Sequence, residues 1–170
     1  MVTLRNTKIE DLKIILSWNE ITEAFLKQWS NFIYPLTEEQ YLERISSKDF
    51  YVFSIENEGM LAGTIQIFKI DKENRTARVG CYLINPLIRG KGIGTKALEL
   101  LTDYAFEKMD LDILELGVFD YNIGAIKCYQ KAGFIKIGEF QHPMGWTGYS
   151  MAKTNSIILK QKSAGKVNIS

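Results

Sequence analysis

The first group of residues that could do chemistry is a glycine-rich segment that also carries two basic side chains. The segment is Arg89-Gly90-Lys91-Gly92-Ile93-Gly94, and it lies between a predicted strand and a strongly predicted helix. The first N–H groups of a helix lack partners within the helix and carry partial positive charge, so they attract anions. Glycines let a phosphate approach the backbone because no Cβ stands in the way. The segment therefore predicts a phosphate-binding turn.

Two other phosphate-binding patterns fit this segment poorly. A Walker A loop requires Gly-x-x-x-x-Gly-Lys-Ser/Thr, but Gly90 is followed by Gly94-Thr95-Lys96, in which the spacing and the order both differ. A Rossmann loop requires Gly-x-Gly-x-x-Gly after the first strand of a β-α-β unit, whereas this segment follows predicted antiparallel strands. A tight turn that binds no ligand is the remaining structural alternative.

Three segments together resemble one known family. Arg89-x-x-Gly92-x-Gly94 matches the [RQ]-x-x-G-x-[GA] signature of the GCN5-related N-acetyltransferase (GNAT) superfamily. The preceding Tyr82-Leu83-Ile84-Asn85-Pro86 resembles the family's strand that ends in apolar-x-Pro. Downstream, Asn122-x-x-Ala125-x-x-x-Tyr129-x-x-x-Gly133-Phe134 resembles its second half-motif. In element order, the resemblance extends from about residue 50 to residue 159.

The resemblance implies acetyl-coenzyme A (acetyl-CoA) as the cosubstrate. Its pyrophosphate would lie on the backbone of the segment Arg89, Gly90, Lys91, Gly92, Ile93 and Gly94. Its pantetheine arm would pair with Tyr82, Leu83 and Ile84, where the family's strand splays from its neighbour. An N–H group of the same stretch would polarise the acetyl carbonyl. Asn122 would bind the arm, or would cap the helix that follows it.

The resemblance also implies a proton donor. Tyr129 matches the family's tyrosine that gives a proton or a hydrogen bond to the departing sulfur, although its helical spacing from Ala125 and Ala132 suits a core position equally. The general base stays open, because Glu115, Asp120 and water are all candidates. For the acceptor, the aromatic segment that contains Trp29 and Tyr34, together with Glu115, gives candidate contacts. This segment most resembles the branch of ribosomal-protein N-terminal acetyltransferases.

Composition limits the classes of function. The 170 residues carry 21 Lys+Arg and 20 Asp+Glu, and this balance argues against a nucleic-acid partner. Cys81 and Cys128 are too few for a disulfide framework or a cysteine-rich zinc site, so no metal is expected. The single histidine, His142, is predicted to be an exposed loop residue. Without a signal sequence or an apolar run of about 18 residues, we expect a cytoplasmic protein with no membrane partner.

Hydrophobic periodicity and turn residues predict an α+β fold with one mixed sheet and helices on both faces. An antiparallel meander is followed by a β-α-β-α-β-β order. Threonines Thr7 and Thr37 each open a predicted capping box. The pattern predicts strands over residues 2–4, 50–56, 61–70, 76–84, 112–119, 134–140 and 148–159, and helices over 12–16, 21–29, 38–45, 95–109 and 122–132. We expect one domain over residues 1–160 and a polar tail over 161–170.

The predicted activity is transfer of an acetyl group from acetyl-CoA to a primary amine, by direct attack in a ternary complex. The acceptor would be a small molecule or a protein N-terminus, and the protein would be a monomer or a homodimer. The alternatives are an acetyl-CoA-binding sensor without efficient turnover and, from another class, a nicotinamide-binding protein.

Overall fold

The computed structural model describes residues 1–29 and 32–157. A seven-stranded mixed sheet has the strand order β1-β2-β3-β4-β5-β7-β6. The strands are β1 (Val2–Asn6), β2 (Tyr51–Asn57), β3 (Met60–Asp71), β4 (Thr76–Ile84), β5 (Ile113–Phe119), β6 (Ile135–Gln141) and β7 (Thr147–Thr154). The helices are α1 (Asp11–Ser17), α2 (Glu23–Leu26), α3 (Glu38–Ser46), α4 (Ile93–Glu107) and α5 (Ile123–Lys131). The predicted α+β class is therefore confirmed.

Turn residues set the meander, as the sequence predicts. Glu58 and Gly59 both adopt positive φ, of 52° and 76°, and join β2 to β3. At the next turn, the Asp71 carboxylate accepts a hydrogen bond of 2.9 Å from the backbone N–H of Asn74. Only the pair β4–β5 is parallel within the described sheet, which is why a helix must connect these two strands.

Two apolar cores lie between the sheet and the two groups of helices. The first joins α4 and α5 to the sheet and includes Ala77 and Val79 of β4. The second joins α1, α2 and α3 to the sheet and includes Leu83 of the same strand. Helices thus cover both faces of the sheet, as predicted, and β4 contributes to both cores.

The N-terminal helices differ from the sequence prediction in two places. The predicted cap at Thr7 is wrong, because α1 begins at Asp11 and the Thr7 hydroxyl shares a hydrogen bond of 3.0 Å with Ser54. The predicted cap at Thr37 is confirmed, since its hydroxyl accepts a hydrogen bond from the backbone N–H of Gln40 at 3.3 Å. The helix predicted over residues 21–29 is limited to α2. The predicted tail, 161–170, lies outside the described residues.

A buried carboxylate anchors α1 to the sheet. Asp11 is 5% exposed, and its carboxylate accepts hydrogen bonds from Arg5 at 2.7 and 2.8 Å. The backbone N–H of Lys8 and the hydroxyl of Ser54 also donate to it, at 2.9 and 2.7 Å. Burial alone would raise the pKa of Asp11, but these hydrogen bonds outweigh burial and lower the pKa to about 2. The ionised carboxylate is therefore the form that the fold stabilises.

Candidate active site

The two parallel strands of the sheet separate soon after they pair. Thr76, Ala77 and Arg78 of β4 pair with Ile113–Glu115 of β5, and the pairing ends there although β4 continues to Ile84. On its other edge, β4 remains paired with β3. In the described part of the sheet, the edge of β4 that faces β5 therefore keeps unpaired backbone groups beyond Arg78. A strand edge of this kind can accept an extended ligand.

A bulge at Cys81 changes the direction of the side chains along this free edge. Gln66 of β3 is opposite Gly80 and Thr64 is opposite Leu83, so β4 contains one extra residue, and Cys81 has a φ of 44°. Beyond the bulge, Tyr82 packs on the core of α4 and α5, whereas Leu83 belongs to the core of the N-terminal helices. An extra residue in one strand produces such a local reversal.

Polar contacts hold the bulge in place beneath α3. The Gln66 amide donates a hydrogen bond to the Cys81 sulfur and accepts one of 3.2 Å from Arg44, which is 6% exposed. The Arg44 guanidinium lies 4.2 and 4.0 Å from the ring centroids of Phe32 and Phe50. Burial is the main cause that raises the pKa of Cys81 to about 12, so its thiol stays neutral.

The glycine-rich segment forms the turn that begins α4. Gly90 and Gly92 adopt φ of 78° and 79°, which glycine tolerates far better than other residues, and Gly92 is the residue that caps the helix. A Cβ at either position would meet no atom within 4 Å. Gly94 is required for another reason, because a Cβ there would lie 2.7 Å from the Tyr82 hydroxyl. The turn thus leaves the N–H groups of the first turn of α4 open to a ligand.

The Arg89 side chain is already engaged within the protein. Its Nε donates a hydrogen bond of 3.0 Å to the carbonyl of Ile84, and its Nη2 lies 3.0 Å from the Glu20 carboxylate. These contacts tie the glycine turn to the end of β4 and to the segment before α2. The guanidinium therefore positions the turn, and Glu20 neutralises its charge. Lys91 is exposed on the same turn.

Two tyrosines lie side by side between β4 and α5. The ring centroids of Tyr82 and Tyr129 are 6.1 Å apart, and Tyr129 is 9% exposed. Burial, and then the neighbouring Cys128, raise the pKa of both phenols well above the usual value. The buried Tyr82 hydroxyl has no hydrogen-bond partner among the described residues, and the Cys128 thiol is the polar group beside it. Both phenols remain protonated at neutral pH.

Asn122 caps α5, as one of its two predicted interpretations requires. Its side-chain oxygen accepts a hydrogen bond of 3.2 Å from the backbone N–H of Ala125. The carboxamide NH₂ group is not used by this cap, so the predicted contact with a ligand is compatible with the geometry and stays a prediction.

A cavity of about 550 Å³ joins these features. The predicted site residues that line it are Tyr82, Leu83, Ile84, Arg89, Gly90, Gly92, Ile93, Gly94, Asn122 and Tyr129. The lining also includes Phe25, which belongs to the aromatic segment predicted on the acceptor side. Sequence reasoning missed other lining residues, namely Glu20, Gln28, Tyr121, Gly124, Lys127, Cys128 and Lys131. The residues of α5 among them repeat every three or four positions, a spacing that could have identified them. No local sequence pattern identifies Glu20 and Gln28.

The two aromatic acceptor candidates lie away from the cavity lining. Trp29 is 6% exposed in the second core, where its ring centroid is 5.2 Å from that of Phe25. Phe25 lines the cavity and Trp29 does not. Tyr34 is 51% exposed. Their predicted contacts with an acceptor stay predictions.

Both carboxylates that were candidates for the general base have partners elsewhere. Glu115 faces Arg78 across the parallel pair, with 3.8 Å between Oε2 and Nη1. The Asp120 carboxylate accepts a hydrogen bond from the Thr147 hydroxyl, and the Asp120 backbone N–H donates one of 3.1 Å to the Thr147 carbonyl. Neither carboxylate is part of the cavity lining.

An aromatic cluster closes the same end of the sheet. The Phe119 ring stacks on Tyr121 at 5.7 Å and meets the edges of His142 and Trp146 at 5.7 and 5.2 Å. His142 was predicted to be exposed, but it is half-buried and stacks on Trp146 at 5.4 Å. Its Nδ1 accepts a hydrogen bond of 3.2 Å from the backbone N–H of Met144. His142 therefore stabilises the β6–β7 turn.

The described residues also bear on two other classes of site. They contain no group of three or more His, Cys, Asp or Glu side chains that could hold a metal ion. In residues 1–29 and 32–157, no helix has the length and apolar character needed to cross a membrane.

Comparison with known proteins places this geometry in one family. The sequence profile of the Acetyltransferase (GNAT) family matches residues 18–134. The probable N-acetyltransferase YjcK of Bacillus subtilis (strain 168) is 37% identical over 102 residues, which are 58% of this chain and 56% of that protein. The spermidine N(1)-acetyltransferase of Escherichia coli (strain K12) is 31% identical over 144 residues, which are 83% of this chain and 76% of that protein.

Solved structures agree on the fold. The spermidine N-acetyltransferase from Vibrio cholerae in complex with CoA and spermine has a TM-score of 0.76 at 23% identity, over 93% of this chain and 98% of that chain. The predicted resemblance is confirmed, while the more specific likeness to the ribosomal-protein branch stays a prediction. The chain belongs to the GNAT acetyltransferase family, and it is an acyltransferase.

Proposed function

We infer that this protein transfers an acetyl group from acetyl-CoA to a primary amine, which attacks directly in a ternary complex. The observation that carries the inference is that the free edge of β4 and the glycine turn of α4 open into one cavity. An extended amide-containing arm and a diphosphate are the two chemical groups that such surfaces bind. Acetyl-CoA contains both, in that order from its thioester.

The residues present fit the coenzyme. Gly90 and Gly92 expose backbone N–H groups without a Cβ, and the first turn of α4 adds partial positive charge for the pyrophosphate. The backbone of Tyr82, Leu83 and Ile84 would pair with the amides of the pantetheine arm. Arg89 supports the turn through Glu20 and the carbonyl of Ile84.

Tyr129 is the proposed proton donor to the leaving sulfur. The thioester carbon gains the nitrogen and loses the sulfur, so the thiolate needs a proton or a hydrogen bond and the amine nitrogen must lose a proton. Tyr129 carries a proton at neutral pH, since an ordinary phenol has a pKa near 10 and burial raises that of Tyr129 further. A backbone N–H of β4 near the bulge would stabilise the oxyanion.

The amine attacks in its neutral form, so it must lose a proton before the reaction. Glu20 is the one acidic side chain of the described cavity lining, and it is paired with Arg89. An α-amine with a pKa near 8 is roughly a tenth neutral at pH 7, whereas a lysine-type amine near 10.4 is below about 0.1% neutral. Deprotonation by water therefore suffices for an α-amine and limits the rate for a more basic one.

The acceptor class is a small amine or a protein N-terminus, with a polyamine as the first small molecule to test. Support comes from the relatives named for spermidine and spermine. Phe25 and Gln28 line the cavity on the side of the N-terminal helices, where the acceptor would enter. The monomeric or homodimeric state stays a prediction.

The test is release of free CoA thiol from acetyl-CoA in the presence of an amine panel. The panel contains spermidine, an aminoglycoside and a peptide with a free N-terminus. Turnover with at least one amine, together with a rise in Tm on addition of acetyl-CoA, is expected. Coenzyme binding with no turnover on any amine would favour the sensor. A rise in Tm with NADH but not with acetyl-CoA would favour the nicotinamide-binding alternative.

A further inference from the structure

The positive charge at the cavity has a different source from the one that the sequence suggests. Arg89, the basic residue of the signature, is neutralised by Glu20 at 3.0 Å and tied to the carbonyl of Ile84. Once this pair is set aside, the charges that remain on the described cavity lining are Lys127 and Lys131 of α5. The cavity therefore has a net positive wall on α5, beside the first turn of α4, where the Thr95 hydroxyl lies 3.5 Å from the Cys128 sulfur.

These lysines occupy one face of α5. They are one helical turn apart, and Gly124 and Cys128, which also line the cavity, continue the same face. Side chains four residues apart on a helix have their Cβ atoms roughly 5–6 Å from each other, so two flexible lysines can reach one ligand group. A Cβ at Gly124 would meet no atom within 4 Å, which leaves open space above the first turn of α5.

Contacts within the protein do not account for both lysines. Both are exposed, and neither forms an ion pair with a residue that the structure describes. The helix dipole favours a cation in the last turn, which suits Lys131. The dipole does not stabilise the charge of Lys127, which lies in the middle of the helix.

We propose that Lys127 and Lys131 form a site for the 3′-phosphate of the coenzyme. The inference rests on the proposed use of acetyl-CoA. The backbone of the glycine turn already serves the pyrophosphate, so the remaining phosphate needs its own partners. A phosphate monoester carries about −1.5 to −2 charge at pH 7, which two ammonium groups match. Lysine suits an exposed phosphate because it acts as a flexible point charge. The two lysines thereby select CoA over its 3′-dephosphorylated form.

The experiment measures the affinity of CoA and of 3′-dephospho-CoA by calorimetry at low ionic strength. We expect the protein to bind CoA about tenfold more tightly, and the preference to shrink as salt is added. In the double variant Lys127→Gln/Lys131→Gln, the preference falls to within about twofold, and the affinity for 3′-dephospho-CoA stays unchanged. Lys13→Gln is the matched control, an exposed lysine within α1 and outside the cavity lining, and it keeps the full preference.

The outcomes separate this site from the proposed function. Equal affinity of the unmodified protein for the two compounds overturns the 3′-phosphate site and leaves coenzyme binding intact. A double variant that keeps the preference overturns it as well. If the unmodified protein binds neither compound, the proposed use of acetyl-CoA is wrong, and the site is lost with it. Because both lysines are exposed, unchanged Tm values will show that the variants remain folded.

Discussion

Replacing Gly92 by alanine isolates the contribution of the glycine turn to coenzyme binding. Gly92 has a φ of 79°, and Gly59, in the β2–β3 turn, has a φ of 76°. A Cβ at either position meets no atom within 4 Å, so neither substitution creates a clash. Both variants therefore lose only backbone stability, about 1–2 kcal/mol for an alanine in the left-handed region. The two variants therefore have the same backbone strain, and they differ only in whether the substituted glycine lies in the cavity.

Only Gly92→Ala should weaken coenzyme binding. Gly92 caps α4 and lines the cavity, so its new Cβ occupies the open space through which a phosphate approaches the backbone N–H groups. A hydrogen bond to a charged group contributes about 1.5–3 kcal/mol. Because about 1.4 kcal/mol corresponds to a factor of ten, loss of one such bond raises the Kd for acetyl-CoA about 10- to 100-fold.

Calorimetric titration with acetyl-CoA gives the Kd, and urea unfolding of the unliganded proteins gives the free energy of unfolding. The expected result is an equal loss of stability in both variants and a loss of affinity in Gly92→Ala alone. Equal Kd values for the two variants would refute the assignment of the phosphate to this turn. A loss of affinity in Gly59→Ala would show that backbone strain, and not position, causes the effect.

Three further predictions concern the proton donor, the acceptor and α1. Tyr129→Phe should lower kcat about 100-fold and leave the Kd for acetyl-CoA within about twofold; an unchanged kcat in the thiol-release assay would exclude the proton-donor role. The logarithm of kcat/KM should rise with unit slope up to the pKa of the acceptor amine, about 8 for an α-amine; a plateau well below that pKa would reveal a general base. Because the pKa of Asp11 falls from 3.8 to about 2, its carboxylate contributes about 2 kcal/mol of stability above pH 4, which is lost as pH falls through 2. Asp11→Asn should remove this acid-dependent loss in urea unfolding, and an identical pH dependence would contradict the assignment.

The features that could be predicted from the sequence are those set by residues close together in the chain. The glycine turn is set by residues within a few positions of one another, and so is the cap that Asn122 supplies to α5. The meander follows from turn residues such as Gly59. These features could therefore be located from the sequence, and the α+β order followed from them.

Long-range packing explains what the sequence could not predict. The charge of Arg89 is cancelled by Glu20, which is 69 positions away in the chain. The bulge at Cys81 depends on Gln66 of the neighbouring strand and on Arg44 of α3. His142 is half-buried because Trp146 folds back on it. No periodicity within one segment encodes such contacts.

The extra residue in β4 reverses, beyond Cys81, which side chains of the strand point to each face of the sheet. Before the bulge, the odd-numbered Ala77 and Val79 face α4 and α5; after it, the even-numbered Tyr82 does so, and Leu83 turns to the N-terminal helices. Adjacent positions of one strand thus pack against two different groups of helices. Under the proposed function, substitutions at Leu83 and in the helices that cover it would alter the acceptor side of the cavity and leave the Tyr82 side unchanged.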